Sequence, residues 1–210
     1  QMRQIIQRIQ KFLSNKKMNT SGKIIFFSGP SGVGKGTIIN ALRDKHPEWV
    51  FPPSCTTRKP RPGEIDGETY YFISEDEFRK KIAAGDFLEF AEVHGKTLYG
   101  TLKEKLLKPK NEGKIVIREF DVQGCSQARK MLNRKDFVGI FVNVEGGKKE
   151  LSQRIVERAP IKKEELAERM ISYDKEVSKI ELYDHVIFSV HGKIDQMIHQ
   201  AETIILDSIK

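Results

Sequence analysis

The chain has 210 residues, 38% hydrophobic and 31% charged, enough to bury a substantial core as one domain with insertions. Its net charge of +8 comes from 37 basic residues interleaved with 29 acidic ones, a pattern that argues against a nucleic-acid partner and suits an enzyme of phosphorylated substrates. No apolar run reaches membrane-spanning length, and two distant cysteines without Cys-x-x-Cys spacing argue against a disulfide framework or zinc site; the expected setting is cytoplasmic.

Residues 1–20 place Met2, Ile5, Ile6, Ile9, Phe12 and Leu13 at helical spacing among Gln, Arg and Lys. This predicts an amphipathic N-terminal helix or extension that packs on the domain, with a homo-oligomer contact as the alternative. The apolar run Ile24-Ile25-Phe26-Phe27 then leads into Ser28-Gly29-Pro30-Ser31-Gly32-Val33-Gly34-Lys35-Gly36-Thr37, followed by a helical pattern. Strand, glycine-rich turn and helix in that order form a phosphate cradle: backbone N–H groups point inward, the helix adds its positive end, and Lys35 adds a full charge. The ligand expected here is ATP or GTP. Position 36 is glycine where the usual spelling has a hydroxyl, so Thr37 is the candidate metal contact, directly or through water.

Further along, apolar runs at 114–117, 137–142 and 184–188 join 23–28 as buried strands. Helical patterns at 35–45, 122–132, 148–159, 162–180 and 194–209 alternate with them, which predicts an α/β fold with a parallel sheet flanked by helices. The stretch 52–102 differs in character, being rich in Pro, Gly, Thr and Tyr with short strand-like pieces, and reads as an inserted lobe over 54–102. The core is then 21–53, 103–145 and 173–210. A polar, arginine-rich stretch over 146–172 reads as a helical lid.

Within the lobe lies Ser54-Cys55-Thr56-Thr57-Arg58-Lys59-Pro60-Arg61-Pro62-Gly63-Glu64, followed by Gly67 and Tyr70. Two arginines three apart, on a loop stiffened by prolines, form a fork for an anionic oxygen group. With this stretch, the Ser28–Thr37 loop, the segment Phe87-Leu88-Glu89-Phe90-Ala91-Glu92-Val93-His94-Gly95 with Tyr99-Gly100-Thr101, and Asp121-Val122-Gln123-Gly124, the chain resembles the guanylate kinase family from about 22 to 190. The resemblance implies a P-loop NTPase core, a GMP-binding lobe and a lid. It also implies transfer of a phosphoryl group from ATP to GMP with Mg²⁺ in purine nucleotide metabolism, with dGMP as a further substrate.

Carried over by that resemblance, Arg58, Arg61, Tyr70 and Tyr99 hold the GMP phosphate. Glu89 accepts from the guanine N1–H and amino group, Ser54 and Thr101 donate on the O6 side, and Glu119 and Asp121 lie near the base. Lys35, Arg58, Arg154, Arg158 and Arg169 form the catalytic set, with the last three as lid arginines. Arg154 and Arg158, four apart, share one helix face. The chain departs from the family at Glu119 (usually Asp), at Arg118 (usually apolar), at the longer segment Gly95–Tyr99, and at 143–147, where Asn-Val-Glu-Gly-Gly replaces Pro-Pro-Ser. The competing readings are another nucleoside monophosphate kinase and a non-catalytic guanylate-kinase-like binding module.

Overall fold

The computed structural model describes residues 22–93, 97–158 and 160–210. The helix expected over 1–20 and the Gly95-Lys96 part of the lengthened hairpin lie outside the described residues. In chain order the elements are β1 (Lys23–Ser28), α1 (Lys35–Lys45), β2 (Ser54–Thr56), β3 (Tyr70–Phe72), α2 (Glu75–Ala83), β4 (Phe87–Val93), β5 (Thr97–Leu102) and α3 (Lys103–Asn111). They continue with β6 (Ile115–Glu119), α4 (Val122–Met131), β7 (Phe137–Val144), α5 (Gly147–Arg158), α6 (Lys163–Val177), β8 (His185–Ser189) and α7 (Ile194–Asp207).

Four strands form a parallel sheet in the order β6-β1-β7-β8. Val50 extends it beyond β6 through a single parallel bridge to Val116, with its N–H donating to the Ile115 carbonyl. The first strand lies in the middle and is apolar on both faces, because helices cover both sides. Ile25 and Phe27 face a core completed by Ile38 and Leu42 of α1, Leu151 of α5, Tyr173 of α6 and Met197 and Ala201 of α7. Ile24 and Phe26 face the other core, with Leu106 of α3, Cys125 and Ala128 of α4 and Phe120.

The stretch between α1 and α3 makes a second, mixed sheet in the order β3-β2-β5-β4. Its small core of Cys55, Phe78, Phe87 and Leu98 is its own. Among the described residues of this sheet Leu88 alone joins the main core, and Gln127 of α4 ties β4 down by exchanging bonds of 3.3 Å with both the N–H and the carbonyl of Phe90. A register shift between Phe87 and Glu89 turns β4 so that Glu89 lies opposite Thr101 of β5.

The helical patterns expected from the sequence do not include α2 or α3. Ser74 caps α2 by accepting from the Glu77 N–H, a signal present in the sequence but set within a stretch dominated by turn residues. For α3 the obstacle is Pro109, which sits inside the helix near its end. No described helix is long and apolar enough to cross a membrane. Cys55 and Cys125 are free thiols buried in separate cores, and burial pushes each up to about 11.

Candidate active site

Open parallel sheets bind ligands beyond the carboxyl ends of their strands, where the strand order reverses. Here that point follows β1, which is flanked by β6 on one side and β7 on the other. The loop Gly29–Gly34 leaves β1 there with three positive φ angles, at Gly29 (132°), Gly32 (93°) and Gly34 (101°). Gly29 is required twice over, since a Cβ would sit 2.1 Å from the Val142 carbonyl oxygen. Gly34 occupies the N-cap of α1 and aims the helix end into the loop. By contrast, Gly36 has ordinary φ, and a Cβ at that position would meet nothing within 4 Å, so the backbone imposes no glycine there.

A cavity of about 520 Å³ opens over this loop, lined by Gly29, Ser31, Gly32, Gly34, Lys35, Gly36 and Thr37, and also by Glu119, Asp121, Arg158 and Glu176. Pro30 and Val33 are buried beneath it, and the Pro30 carbonyl accepts from Lys35 Nζ at 3.0 Å while Gly29 accepts at 2.6 Å. Lys35 is buried, and Glu119 Oε1 lies 3.5 Å from its Nζ. Glu119, expected near the base, is thus set against the loop lysine. Thr37 is exposed on the cavity wall. Glu176 of α6, which no sequence motif singles out, faces the same space: burial pushes its carboxyl up, and Lys35 opposes that.

The second sheet carries the other candidate residues. Arg58 donates through both terminal nitrogens to Glu64 at 2.6 Å and through Nε to the Tyr99 hydroxyl at 3.2 Å. Its guanidinium lies 5.0 Å from the centre of the Tyr70 ring, and Tyr70 meets Tyr99 edge-on at 5.9 Å. Glu64 also accepts from the Arg61 backbone N–H at 2.7 Å, and with Arg58 this holds its carboxyl down at about 2. The Arg61 side chain is exposed. These contacts bring Arg58, Tyr70 and Tyr99 into one cluster that can receive an anion.

Beside it, Ser54, Glu89 and Thr101 converge from β2, β4 and β5. Burial pushes the Glu89 carboxyl above the ordinary carboxylate range, while Thr101 and Arg118 work against that rise. Gly124 of α4 packs against Glu89, where a Cβ would approach Glu89 Oε2 to 3.1 Å. Asp121 caps α4 by accepting from the Gly124 N–H at 2.6 Å and also lines the loop cavity, so the two halves of the site adjoin.

The lid arginines are placed unequally. Arg158 reaches both the loop cavity and a neighbouring one shared with Arg154 and Arg169. Arg154 is engaged with Glu150 at 2.8 Å and with the hydroxyl and carbonyl of Ser189, which ties α5 to β8. Arg169 donates to Glu165 at 2.8 Å on its own helix. Among the described residues no group of three His, Cys, Asp or Glu side chains is placed to hold a metal.

A parallel sheet whose central strand runs into this glycine loop, set beside a separate anion cluster and the converging polar side chains of Ser54, Glu89 and Thr101, is the architecture of a P-loop nucleoside monophosphate kinase. The family model for guanylate kinase matches residues 21–208. Guanylate kinases of Clostridium perfringens and a Synechococcus species are each 40% identical to the chain. They align over 90% and 88% of it and over 84% and 97% of their own lengths. The crystal structure of guanylate kinase from Anaplasma phagocytophilum superposes with a TM-score of 0.70 at 28% identity, covering 90% of this chain and 87% of that one. The chain belongs to the guanylate kinase family.

Proposed function

We propose that the protein transfers the γ-phosphoryl group of ATP to GMP, giving ADP and GDP. The observation that carries this is the pairing of two unlike sites: a glycine loop with a buried lysine, and next to it an Arg-Tyr-Tyr cluster adjoining Ser54, Glu89 and Thr101. Guanine presents two adjacent donors and one acceptor on its Watson–Crick edge. A carboxylate and two hydroxyls complement that edge, whereas adenine leaves both kinds of group unpaired, at roughly 1–3 kcal/mol each. The deoxyribose of dGMP leaves the edge unchanged, so dGMP is a substrate as well.

Phosphoryl transfer asks a protein for position and charge. The loop N–H groups and Lys35 hold the β- and γ-phosphates, and Arg58, Tyr70 and Tyr99 hold the acceptor phosphate, with Arg61 close by on the same loop. Arg158 overlooks the loop cavity and is the lid arginine placed to meet the transferring group; Arg154 and Arg169 would join it only by leaving their present partners. The Thr37 hydroxyl and the Glu119 carboxylate line the cavity and offer oxygen donors of the kind Mg²⁺ takes, directly or through water. When bound with ATP, Mg²⁺ neutralises phosphate charge. The acceptor phosphate is already anionic at neutral pH, so no general base is needed. A cytoplasmic setting suits two buried free thiols.

A coupled ADP-release assay offering GMP, dGMP, AMP, UMP and TMP tests this directly, with GMP expected to lead by orders of magnitude. A preference for AMP would overturn the reading. Lys35→Met is expected to reduce turnover by at least roughly 10²-fold while the protein stays folded, because it removes charge where the transition state gathers it.

A further inference from the structure

Arg118 is a partly buried cation set directly against Ser54 and Thr101. It comes from β6, the main sheet, yet its guanidinium points into the second sheet. One terminal nitrogen donates to the Ser54 hydroxyl, Nε donates to the Thr101 hydroxyl at 3.3 Å, and the other terminal nitrogen donates to the Pro52 carbonyl at 3.1 Å. Ser54 and Thr101 are both buried.

A hydroxyl can donate once and accept through two lone pairs, and its direction is set by its partners. A guanidinium can only donate. Each hydroxyl therefore turns an oxygen lone pair toward Arg118 and its proton away from it. We propose that Arg118 is a specificity-determining positioning residue: it fixes Ser54 as a hydrogen-bond donor toward the base and turns the Thr101 proton toward Glu89, so that the site accepts a 6-oxo purine and rejects a 6-amino purine. An amino group brings its own positive hydrogens toward a hydroxyl already backed by a cation, which is doubly unfavourable. Arg118 also favours ionised Glu89, and an ionised carboxylate is the acceptor that guanine N1–H needs. Glu89 and the Ser54 hydroxyl are thus set to opposite polarities by one side chain. This inference rests on the proposed GMP-directed function and deepens it.

The groups facing Glu89 are Arg118 from β6, Thr101 from β5 and Asp121 at the head of α4; those facing Arg118 are Glu89, Glu119, Tyr70 and Cys55. Burial opposes the Arg118 charge, and the two glutamates support it. Without the cation, Glu89, already raised by burial, rises further, so its ionised form is less favoured. A protonated Glu89 would set its O–H against guanine N1–H, so GMP binding should weaken as pH falls.

The test compares wild type, Arg118→Met, Arg118→Gln and Arg118→Lys with GMP, IMP and AMP. IMP keeps the oxygen at position 6 and the N1–H but lacks the 2-amino group, so it isolates the side that Arg118 controls. For Arg118→Met the expected result is a roughly 10- to 100-fold rise in KM for GMP and IMP alike, a smaller change in kcat, no loss with AMP, and an unchanged KM for ATP. Its kcat/KM for GMP should rise with pH more steeply than that of the wild type. Arg118→Lys should recover most of the selectivity. Should Arg118→Met fail to fold, Arg118→Gln keeps the bulk and the bond to Pro52, yet its amide can also accept, so the GMP-to-AMP ratio still falls. An unchanged ratio in either folded variant, or equal losses with all three nucleotides as expected for a mere tether of Pro52, overturns the inference. Failure of the wild type to phosphorylate GMP would instead strike the functional reading itself.

Discussion

Arg58 has five N–H donors, and Glu64, Tyr99 and the Lys59 carbonyl already occupy four of them. The arginine is therefore held in place by a carboxylate of its own loop, and it meets a phosphate as a fixed charge. Replacing Glu64 with Gln should raise KM for GMP by roughly tenfold, the worth of about one well-ordered charge-assisted bond, with a smaller effect on kcat. Steady-state kinetics at varied GMP would check this. The same pair makes a pH prediction. Glu64 is held at about 2, below the ordinary value near 4.3, so its contribution to stability is complete above the ordinary value and is lost as pH falls toward 2. The difference in urea midpoint between wild type and Glu64→Gln should thus be largest near pH 7 and shrink by about pH 3. Arg58 and Glu89 were legible in the chain because each belongs to a long, specific string. Their partners were not. Glu64 was visible as a letter in that string, but its pairing depends on how the Gly63 turn folds back, and Arg118 reaches Ser54 and Thr101 only because a strand of one sheet ends beside another.

The elements of the main sheet were legible for a simple reason: strands buried on both faces leave unbroken apolar runs, and β1, β7 and β8 begin and end within two residues of the expected bounds. The second sheet was harder, because β2 and β3 have only three residues each and its core holds few side chains. That small core invites an experiment. Phe78 is fully buried, stacks on Phe87 at 4.3 Å and leaves no room for a Cβ at Gly100. Phe78→Ala should destabilise this sheet by about 3–5 kcal/mol. Because the loop cavity rests on the other core, an ATP analogue should still bind while GMP binding is lost, and amide exchange should quicken in β4 and β5 but not in β1. Titration of both nucleotides, with exchange measured by mass spectrometry, would show whether the two sheets fail separately.

At the scale of the molecule, two anionic substrates must be brought together between elements that now hold their cations apart. Arg154 is committed to β8 and Arg169 to its own helix, while Arg158 looks across both cavities. Solution scattering with a bisubstrate analogue carrying both nucleotides is expected to give a smaller radius of gyration than the protein alone, as α5 and α6 and the second sheet close over the ligand. An unchanged radius would mean that the arginines regroup by side-chain rotation alone. One further consequence concerns the ribosome. Because β1 lies between β6 and β7, Phe26 finds its strand partners at Arg118 and Gly139, and the turn at Gly29 is braced by Val142. The phosphate loop is synthesised well before β7, the strand that braces it, and cannot take shape until β7 has emerged. A nascent chain stalled before about residue 140 should hold no nucleotide at all, and the central strand, apolar on both faces, must be kept from aggregating until β6 and β7 have emerged.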